Sequence, residues 1–184
     1  MQLFLSSIRI AAATMVICVA GYATAVWAVA RAIAPDTANG SLIIGESGAV
    51  IGSRQVAQAF TEPRYFWPRP SAVDYNGAGA GGSNKSPTSA DVEDRGRAMV
   101  ERYGATPDNP LPADLAAASG AGLDPHISEE GALYQAGRVA AARGLERAQI
   151  EELVRQASFS PGGFLSTDRI VNVLELNIAL DAVD

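Results

Sequence analysis

Residues 10–30, IAAATMVICVAGYATAVWAVA, decide the architecture, because this run contains no charged side chain and Arg9 and Arg31 close it. At about 1.5 Å per residue, a helix over the run spans about 31 Å, close to the ~30 Å thickness of the bilayer hydrocarbon. Trp27 lies near one end, where an indole suits the membrane interface. The run predicts a single transmembrane helix over residues 10–30, preceded by a short tail, residues 1–9.

A cleaved signal peptide is the competing interpretation, because Ala-x-Ala sites occur at residues 23–25 and 28–30. The apolar region of a signal peptide is shorter, about 7–15 residues, and follows a more basic N-terminal region. An uncleaved anchor is therefore favoured. Charge alone determines the orientation poorly, but a short N-terminal tail before a large domain favours a cytoplasmic N-terminus and an external domain.

Small side chains follow one side of the predicted helix. Residues at this spacing let a second helix approach closely, which is how helices associate in lipid. An equally good alternative is that alanine and glycine are simply common in this chain. The predicted helix-packing residues are Ala20, Gly21, Thr24, Ala25 and Ala28.

The remaining 153 residues carry 12 basic and 20 acidic side chains, a net charge of −8, whereas the first 31 residues hold two arginines and no acid. Nucleic-acid binding needs a concentrated basic face, so the acidic balance argues against that class. Cys18 is the only cysteine and lies inside the apolar run, and His126 is the only histidine. An intrachain disulfide and Cys- or His-rich metal sites are therefore excluded, and no metal is expected.

After a linker, residues 31–40, the pattern predicts an α+β domain over residues 41–184 with few, short strands. Residues 42–44 and 49–51 predict a hairpin, and Ser53 is a plausible cap for a short helix ending near Phe60. Prolines keep residues 65–71 out of a helix, and residues 76–84 predict a glycine-rich loop. The remaining predictions are a helix capped by Ser89 with Val92, Gly96, Met99, Val100 and Tyr103 inward, a short helix over 113–118, a helix from Ser128 to Gly144, a helix around 150–157, a strand at 171–173, and an apolar helix or strand over 174–180.

Three clusters contain residue types that could support catalysis or binding. The glycine run at residues 77–82 follows no convincing strand and lacks Gly-Lys-Ser/Thr, so a structural loop is favoured over a phosphate cradle. Ser119, Asp124 and His126 have the residue types of a hydrolytic triad, but triad groups normally converge from separate elements, and a locally bonded loop is favoured.

Gln135 and Arg138 share a helix face with Arg143 near its end, which indicates either a solvated face or a contact surface for an anion or a partner. A guanidinium between two prolines, as at Arg69, is usually held by carbonyls or a carboxylate. The polar residues of the C-terminal apolar stretch need hydrogen-bond partners if they are buried. From the residues alone, the chain is an anchored, exported, non-enzymatic subunit; an anchored periplasmic hydrolase and a generic exported binding domain remain alternatives.

Several motifs occur together: YFWPRPSA at residues 65–72, GGSN at 81–84, ASGAGLDPHIS at 118–128 and VNVLELNIALD at 171–181. With these motifs in this order, the chain resembles the C subunit of the Kdp potassium-transporting P-type ATPase over essentially its whole length. The resemblance marks as structural motif residues Arg69, Pro70, Ser71, Asn84, Asp124, Asn172, Glu175 and Asn177.

The resemblance implies a single-pass subunit of the bacterial inner membrane, with its domain outside the cytoplasm. The implied partners are a channel-like potassium-binding subunit, an ATP-hydrolysing pump subunit, a small single-helix subunit and membrane lipid, with no nucleic acid. The chain lacks the Asp-Lys-Thr-Gly-Thr phosphorylation motif of the pump. The chain therefore cannot itself form the aspartyl phosphate. The resemblance implies an accessory role in assembly and stabilisation, together with a raised ATP affinity of the pump.

The same resemblance implies a nucleotide contact at Gln135, with Ser119, Gly120 and Gly122. No cofactor is expected to be bound stably, and ATP would be shared with the pump subunit. An external domain conflicts with this contact, because ATP is scarce outside the cell. Either the orientation is different, or the effect on ATP is indirect, or the contact is not physiological.

Overall fold

The computed structural model describes residues 1–183, so Asp184, the last residue of the predicted domain, lies outside the described residues. The chain forms two compact units, Met1–Val50 and the residues from Ile51 onward. In chain order the elements are α1 (Gln2–Ile33), α2 (Pro35–Ala38), β1 (Leu42–Ile44), β2 (Val50–Ser53), α3 (Ala90–Tyr103), α4 (Ala113–Ala116), β3 (His126–Ser128), α5 (Glu129–Arg143), α6 (Arg147–Ala157), a 3₁₀ turn (Gly163–Leu165), β4 (Ile170–Asn172) and α7 (Val173–Asp181).

Helix α1 extends beyond the apolar run at both ends and has a mean hydropathy of 2.1, so it is long and apolar enough to cross a membrane. None of its residues is buried within the part of the chain that the structure describes. Residues Val16–Gly21 form a π-helical segment, closed by a hydrogen bond from the Tyr22 amide to the Ile17 carbonyl. The predicted class, a long apolar helix followed by a domain of helices and short strands, is confirmed.

The predicted hairpin is confirmed, since β1 and β2 form a two-stranded sheet. The predicted helix over residues 53–60 is wrong. The Ser53 hydroxyl accepts a hydrogen bond from the Gln55 amide at 3.1 Å, which favours a turn over a helix. The Ala57 amide then donates to the Leu123 carbonyl at 2.9 Å, so a distant backbone group holds this stretch extended.

The core of the second unit lies between the antiparallel pair β3–β4 and helices α5 to α7. Ile127 stands opposite Val171 in the register of that pair, and both are buried. Helix α5 turns its alanines inward at a spacing of four, which lets its neighbours pack closely. The buried apolar core residues are Phe66, Leu115, Ile127, Ala132, Ala136, Val139, Ala140, Ile150, Val154, Val171, Val173, Leu176 and Leu180.

Both ends of α5 form as predicted, with a serine cap at its N-terminus and a glycine after its C-terminus. The Ser128 hydroxyl accepts from the Gly131 amide at 2.8 Å, and Gly144 ends the helix in the left-handed conformation at φ 68°. Ser89 does precede α3, but its buried hydroxyl finds no partner in the described residues and does not cap the helix. Val100, predicted to face inward, is exposed because α3 packs only its half-buried side against the domain.

Helix α4 is shorter than predicted and ends at Ala116. Ala117 is extended, with φ −92° and ψ 126°. The Arg69 guanidinium donates hydrogen bonds to the carbonyls of Ala117 and Ala118. A side chain from another segment therefore binds the carbonyl groups just after α4, where the helix itself supplies no further partner.

Candidate functional site

Residues 65–71, the 65–71 segment, form no helix, and no strand among the described residues pairs with them. Two carboxamide side chains replace that strand. Asn177 of α7 accepts from the Phe66 amide at 2.8 Å and donates to the Phe66 carbonyl at 3.0 Å. Gln135 of α5 accepts from the Trp67 amide at 2.8 Å and donates to the Trp67 carbonyl at 3.1 Å. We call these two side chains the amide brace.

The amide brace explains why two polar residues lie in an apolar core. Gln135 is 1% exposed and Asn177 is 2% exposed. Buried backbone groups need partners, and each carboxamide supplies one acceptor and one donor to the same residue. The oxygen of Gln135 also accepts from the Arg138 guanidinium at 2.7 Å. A nucleotide could therefore reach Gln135 only after the 65–71 segment moved away.

Two arginines of α5 donate hydrogen bonds to carbonyl groups at the start of the same segment and just before it. Arg138 donates to the carbonyls of Pro63 and Tyr65, at 2.5 Å and 3.0 Å. The side chain of Arg143 is 1% exposed, donates to the Arg64 carbonyl at 2.9 Å and pairs with Asp181 at 2.6 Å. The face of α5 that carries Gln135, Arg138 and Arg143 was predicted to be either solvated or a contact surface. In the structure these three side chains bond mainly to other groups of the domain.

The loop after α4 closes over the other end of the 65–71 segment. The Ser119 amide donates to the Pro70 carbonyl at 3.1 Å, and the Ser71 hydroxyl donates to the Gly122 carbonyl at 2.6 Å. Gly122 has φ 68°, and a Cβ there would lie 2.6 Å from a methyl group of Val73, so only glycine fits. Ser119 is buried, whereas Gly120 is exposed.

The structure therefore connects three of the four predicted nucleotide residues through one segment rather than through an open pocket, and the fourth, Gly120, is exposed. Ser119 and Gly122 contact it at Pro70 and Ser71, and Gln135 contacts it at Trp67. In the part of the chain that the structure describes, the Ser119 hydroxyl has no hydrogen bond to His126, so the hydrolytic triad is not assembled.

Arg69, Asp124 and His126 form a half-buried charge network. Arg69 pairs with one oxygen of Asp124 at 3.3 Å, and the other oxygen accepts from the His126 amide at 3.0 Å and lies 3.2 Å from the His126 ring nitrogen. The hydrogen bond from the His126 side chain is the main cause that lowers the pKa of Asp124, and the His126 amide and the Arg69 charge add to it. The carboxylate joins the 65–71 segment to strand β3.

The remaining motif residues serve helix α7 and the loops. Asn172 caps α7 by accepting from the Glu175 amide at 3.1 Å, and donates to the Arg54 carbonyl at 2.8 Å. Glu175 pairs with the Arg54 guanidinium at 2.7 Å. Asn84 is exposed and has a left-handed backbone at φ 50°, a conformation that asparagine tolerates better than most residues.

In the first unit, the small residues of α1 line a shallow apolar groove. The groove coincides with the π-helical segment, which locally widens the helix. A Cβ added at Gly21 would meet only the Val16 carbonyl, at 3.6 Å, so the chain itself leaves this side of the helix open. The residues that line the groove are Val16, Ile17, Ala20, Gly21, Tyr22, Thr24, Ala25 and Ala28.

Sequence reasoning missed the amide brace, although it required Asn177 to find partners if buried. It also missed the Ser71 hydroxyl, which donates to the Gly122 carbonyl and accepts from two amides, Val73 at 3.2 Å and Tyr75 at 2.9 Å. The signal that could have found these contacts is a polar residue inside an apolar pattern. No metal cluster of three or more His, Cys, Asp or Glu side chains occurs within residues 1–183.

Comparison with known proteins assigns the chain to a family. The family model for the c chain of the K⁺-transporting ATPase, KdpC, matches residues 4–182. The chain is 70% identical over 184 residues to the potassium-transporting ATPase KdpC subunit of Parvibaculum lavamentivorans, covering 100% of this chain and 98% of that protein.

More distant relatives carry the same description. The KdpC subunit of Dechloromonas aromatica is 44% identical over 168 residues, which cover 88% of this chain and 87% of that protein. The KdpC subunit of Myxococcus xanthus is 42% identical over 184 residues, which cover 97% of this chain and 87% of that protein. The chain therefore belongs to the KdpC family and is an accessory subunit of the Kdp potassium-uptake ATPase complex.

Proposed function

We propose that this subunit assembles and stabilises the Kdp complex by two attachments. Helix α1 packs in the membrane against helices of the channel-like, ATP-hydrolysing and small single-helix subunits, and the folded domain binds outside the cytoplasm. Any rise in the ATP affinity of the pump then follows from assembly, without a nucleotide bound by this chain.

The open groove of α1 supports the membrane attachment. Apolar side chains gain little from contact with one another in lipid, so helices associate where small residues allow close packing. The groove offers such a site beside Gly21. The N-terminus would be cytoplasmic and the domain external, in the bacterial inner membrane.

The burial of Gln135 is the observation that carries the indirect effect on ATP. Its side chain is 1% exposed, and both its oxygen and its nitrogen bind Trp67. A direct nucleotide contact would break two buried backbone hydrogen bonds before it gained any. Gln135 therefore serves to bind the backbone of the 65–71 segment. ATP is then bound by the pump subunit and not by this chain.

The amide brace provides a matched pair of variants for testing this proposal. Gln135→Leu and Asn177→Leu each remove one carboxamide from adjacent residues of the same segment. If the effect on ATP is indirect, both variants reduce the yield of assembled complex, and complexes that elute intact keep the apparent KM for ATP of the wild type. A raised KM in intact Gln135→Leu complexes, with Asn177→Leu unchanged, would establish a direct contact instead.

The external position of the domain is tested by chemical labelling. Cys18 is the only cysteine, so Cys18→Ala gives a cysteine-free background, into which Asp108→Cys adds a thiol on an exposed loop. We expect a membrane-impermeant maleimide to label this thiol in intact spheroplasts. Labelling only after lysis would move the domain to the cytoplasm and would restore access to ATP.

A further inference from the structure

Two guanidinium groups lie against the same indole ring at the edge of the domain. The guanidinium carbon of Arg138 is 3.7 Å from the Trp67 ring centroid, and that of Arg102 is 4.0 Å from it. The Tyr103 ring meets the same indole edge-on, with 5.3 Å between the ring centroids, and the Tyr134 ring centroid lies 6.2 Å from that of Tyr103. We call these five residues the arginine–aromatic patch.

Neither arginine of the patch has a carboxylate within 4.0 Å among residues 1–183. Other arginines of the domain do pair with acids, as Arg97 does with Glu93 at 2.7 Å. Burial is the main cause that lowers the pKa of Arg138 to about 10; Tyr103 raises this pKa, and the neighbouring charge of Arg102 lowers it. Asp114 lies near Tyr103, but one of its oxygens accepts from the Ser128 amide at 2.7 Å.

The patch carries two positive charges that form no ion pair within residues 1–183, in a part of the chain whose net charge is strongly negative. Two like charges against one ring repel each other, and the hydrogen bonds of Arg138 to carbonyl oxygens do not neutralise its charge. An anion bound to the exposed Arg102 would offset this repulsion, and its planar guanidinium suits a carboxylate that accepts two hydrogen bonds.

Exposure makes the patch available. Arg102 lies exposed in the last turn of α3, Arg138, Tyr103 and Tyr134 are half-buried, and Trp67 is 7% exposed beneath them. Tryptophan, tyrosine and arginine are the residue types that dominate binding energy at protein interfaces. A rigid aromatic base under two arginines is a preformed surface that loses little conformational entropy on binding.

We propose that the arginine–aromatic patch docks an acidic segment of a partner subunit, whose Asp or Glu carboxylate binds the exposed Arg102 beside the charge of Arg138. This inference rests on the proposed assembly function and names the surface that performs it. A protein carboxylate fits better than an anionic lipid surface, because Arg102 lies beside a tryptophan and two tyrosines, and these residue types are enriched at protein interfaces.

The test is a charge reversal at the exposed arginine, Arg102→Glu, in the tagged full-length chain produced together with its partner subunits. Its control is Arg97→Glu, the same charge change on the same helix at a residue that already has an ion pair. We expect Arg102→Glu to dissociate from the complex about tenfold faster or more, whereas Arg97→Glu behaves as the wild type. Arg102→Lys, which keeps the charge but loses the planar fork, should fall between them.

A photoactivatable cross-linker at position 102 then identifies the neighbour. Cross-links to an acidic segment of a partner subunit support the proposal, whereas cross-links to lipid alone would contradict it. Wild-type dissociation rates in both Arg102→Glu and Arg102→Lys would also contradict it. If the wild-type chain itself failed to co-elute with its partners, the assembly function would be wrong. Unchanged thermal unfolding of Arg102→Glu separates a lost contact from a lost fold.

Discussion

Replacing Asn177 by leucine removes one half of the amide brace while nearly keeping the shape of the side chain. The Phe66 amide and the Phe66 carbonyl then lose their partners, which bind at 2.8 Å and 3.0 Å. Both groups belong to a residue that is 0% exposed, so water cannot replace the lost hydrogen bonds without opening the core.

The expected size of the effect follows from these two groups. Each buried polar group left without a partner costs about 1–3 kcal/mol, so the pair costs about 2–6 kcal/mol. The added apolar surface of leucine offsets about 1 kcal/mol. We expect a net loss of about 3 kcal/mol in the free energy of unfolding, which lowers the Tm of a domain of this size by roughly 10 °C.

Fluorescence of the full-length chain in detergent measures this change. The chain has two tryptophans, and Trp27→Phe in α1 leaves the buried Trp67 as the only reporter, beside the brace. Gln156→Leu is the control, because among the described residues the side chain of this exposed glutamine bonds only Glu152, one helical turn earlier, and its loss should change stability by less than about 0.5 kcal/mol. A loss below about 1 kcal/mol for Asn177→Leu would refute the brace as a stabilising element.

Three further predictions concern other parts of the chain. Gly122→Ala should destabilise by about 2 kcal/mol or more in thermal unfolding, because its Cβ would clash with Val73, whereas Gly120→Ala, with open space around it, should change little. The pKa of Asp124 is lower in the folded state than in the unfolded state, so its contribution is complete above about pH 4 and is lost as pH falls through the folded pKa. Asp124→Asn should therefore flatten the acid limb of the stability–pH curve, and an unchanged limb would count against the network. Gly21→Leu should weaken co-purification of the partner subunits more than membrane insertion, and unchanged co-purification would mean that the groove is not an interface.

The sequence predicted the parts of the fold that local chemistry determines. The apolar run predicted α1, and Ser128 and Gly144 predicted both ends of α5. The helix over residues 53–60 failed because the amide of Ala57 binds a carbonyl 66 positions away, a contact with no local signal.

The candidate site was predicted only as a set of residues. The spacing of residues could not predict that Gln135 and Asn177 would take the place of a strand beside the 65–71 segment, because that arrangement depends on how α5 and α7 pack. The motif itself was visible, but the role of each side chain required the tertiary structure. The contact of Arg102 with Trp67 was likewise not predicted from the sequence.

The most direct test of the account is purification of the Kdp complex through a tag on its ATP-hydrolysing subunit, from cells with and without this chain. With the chain present, the account predicts that the channel-like subunit co-elutes and that the eluate has potassium-stimulated ATPase activity. Without the chain, both should be lost. Recovery of an intact pair of subunits with full potassium-stimulated activity in the absence of this chain would contradict the proposed role in assembly.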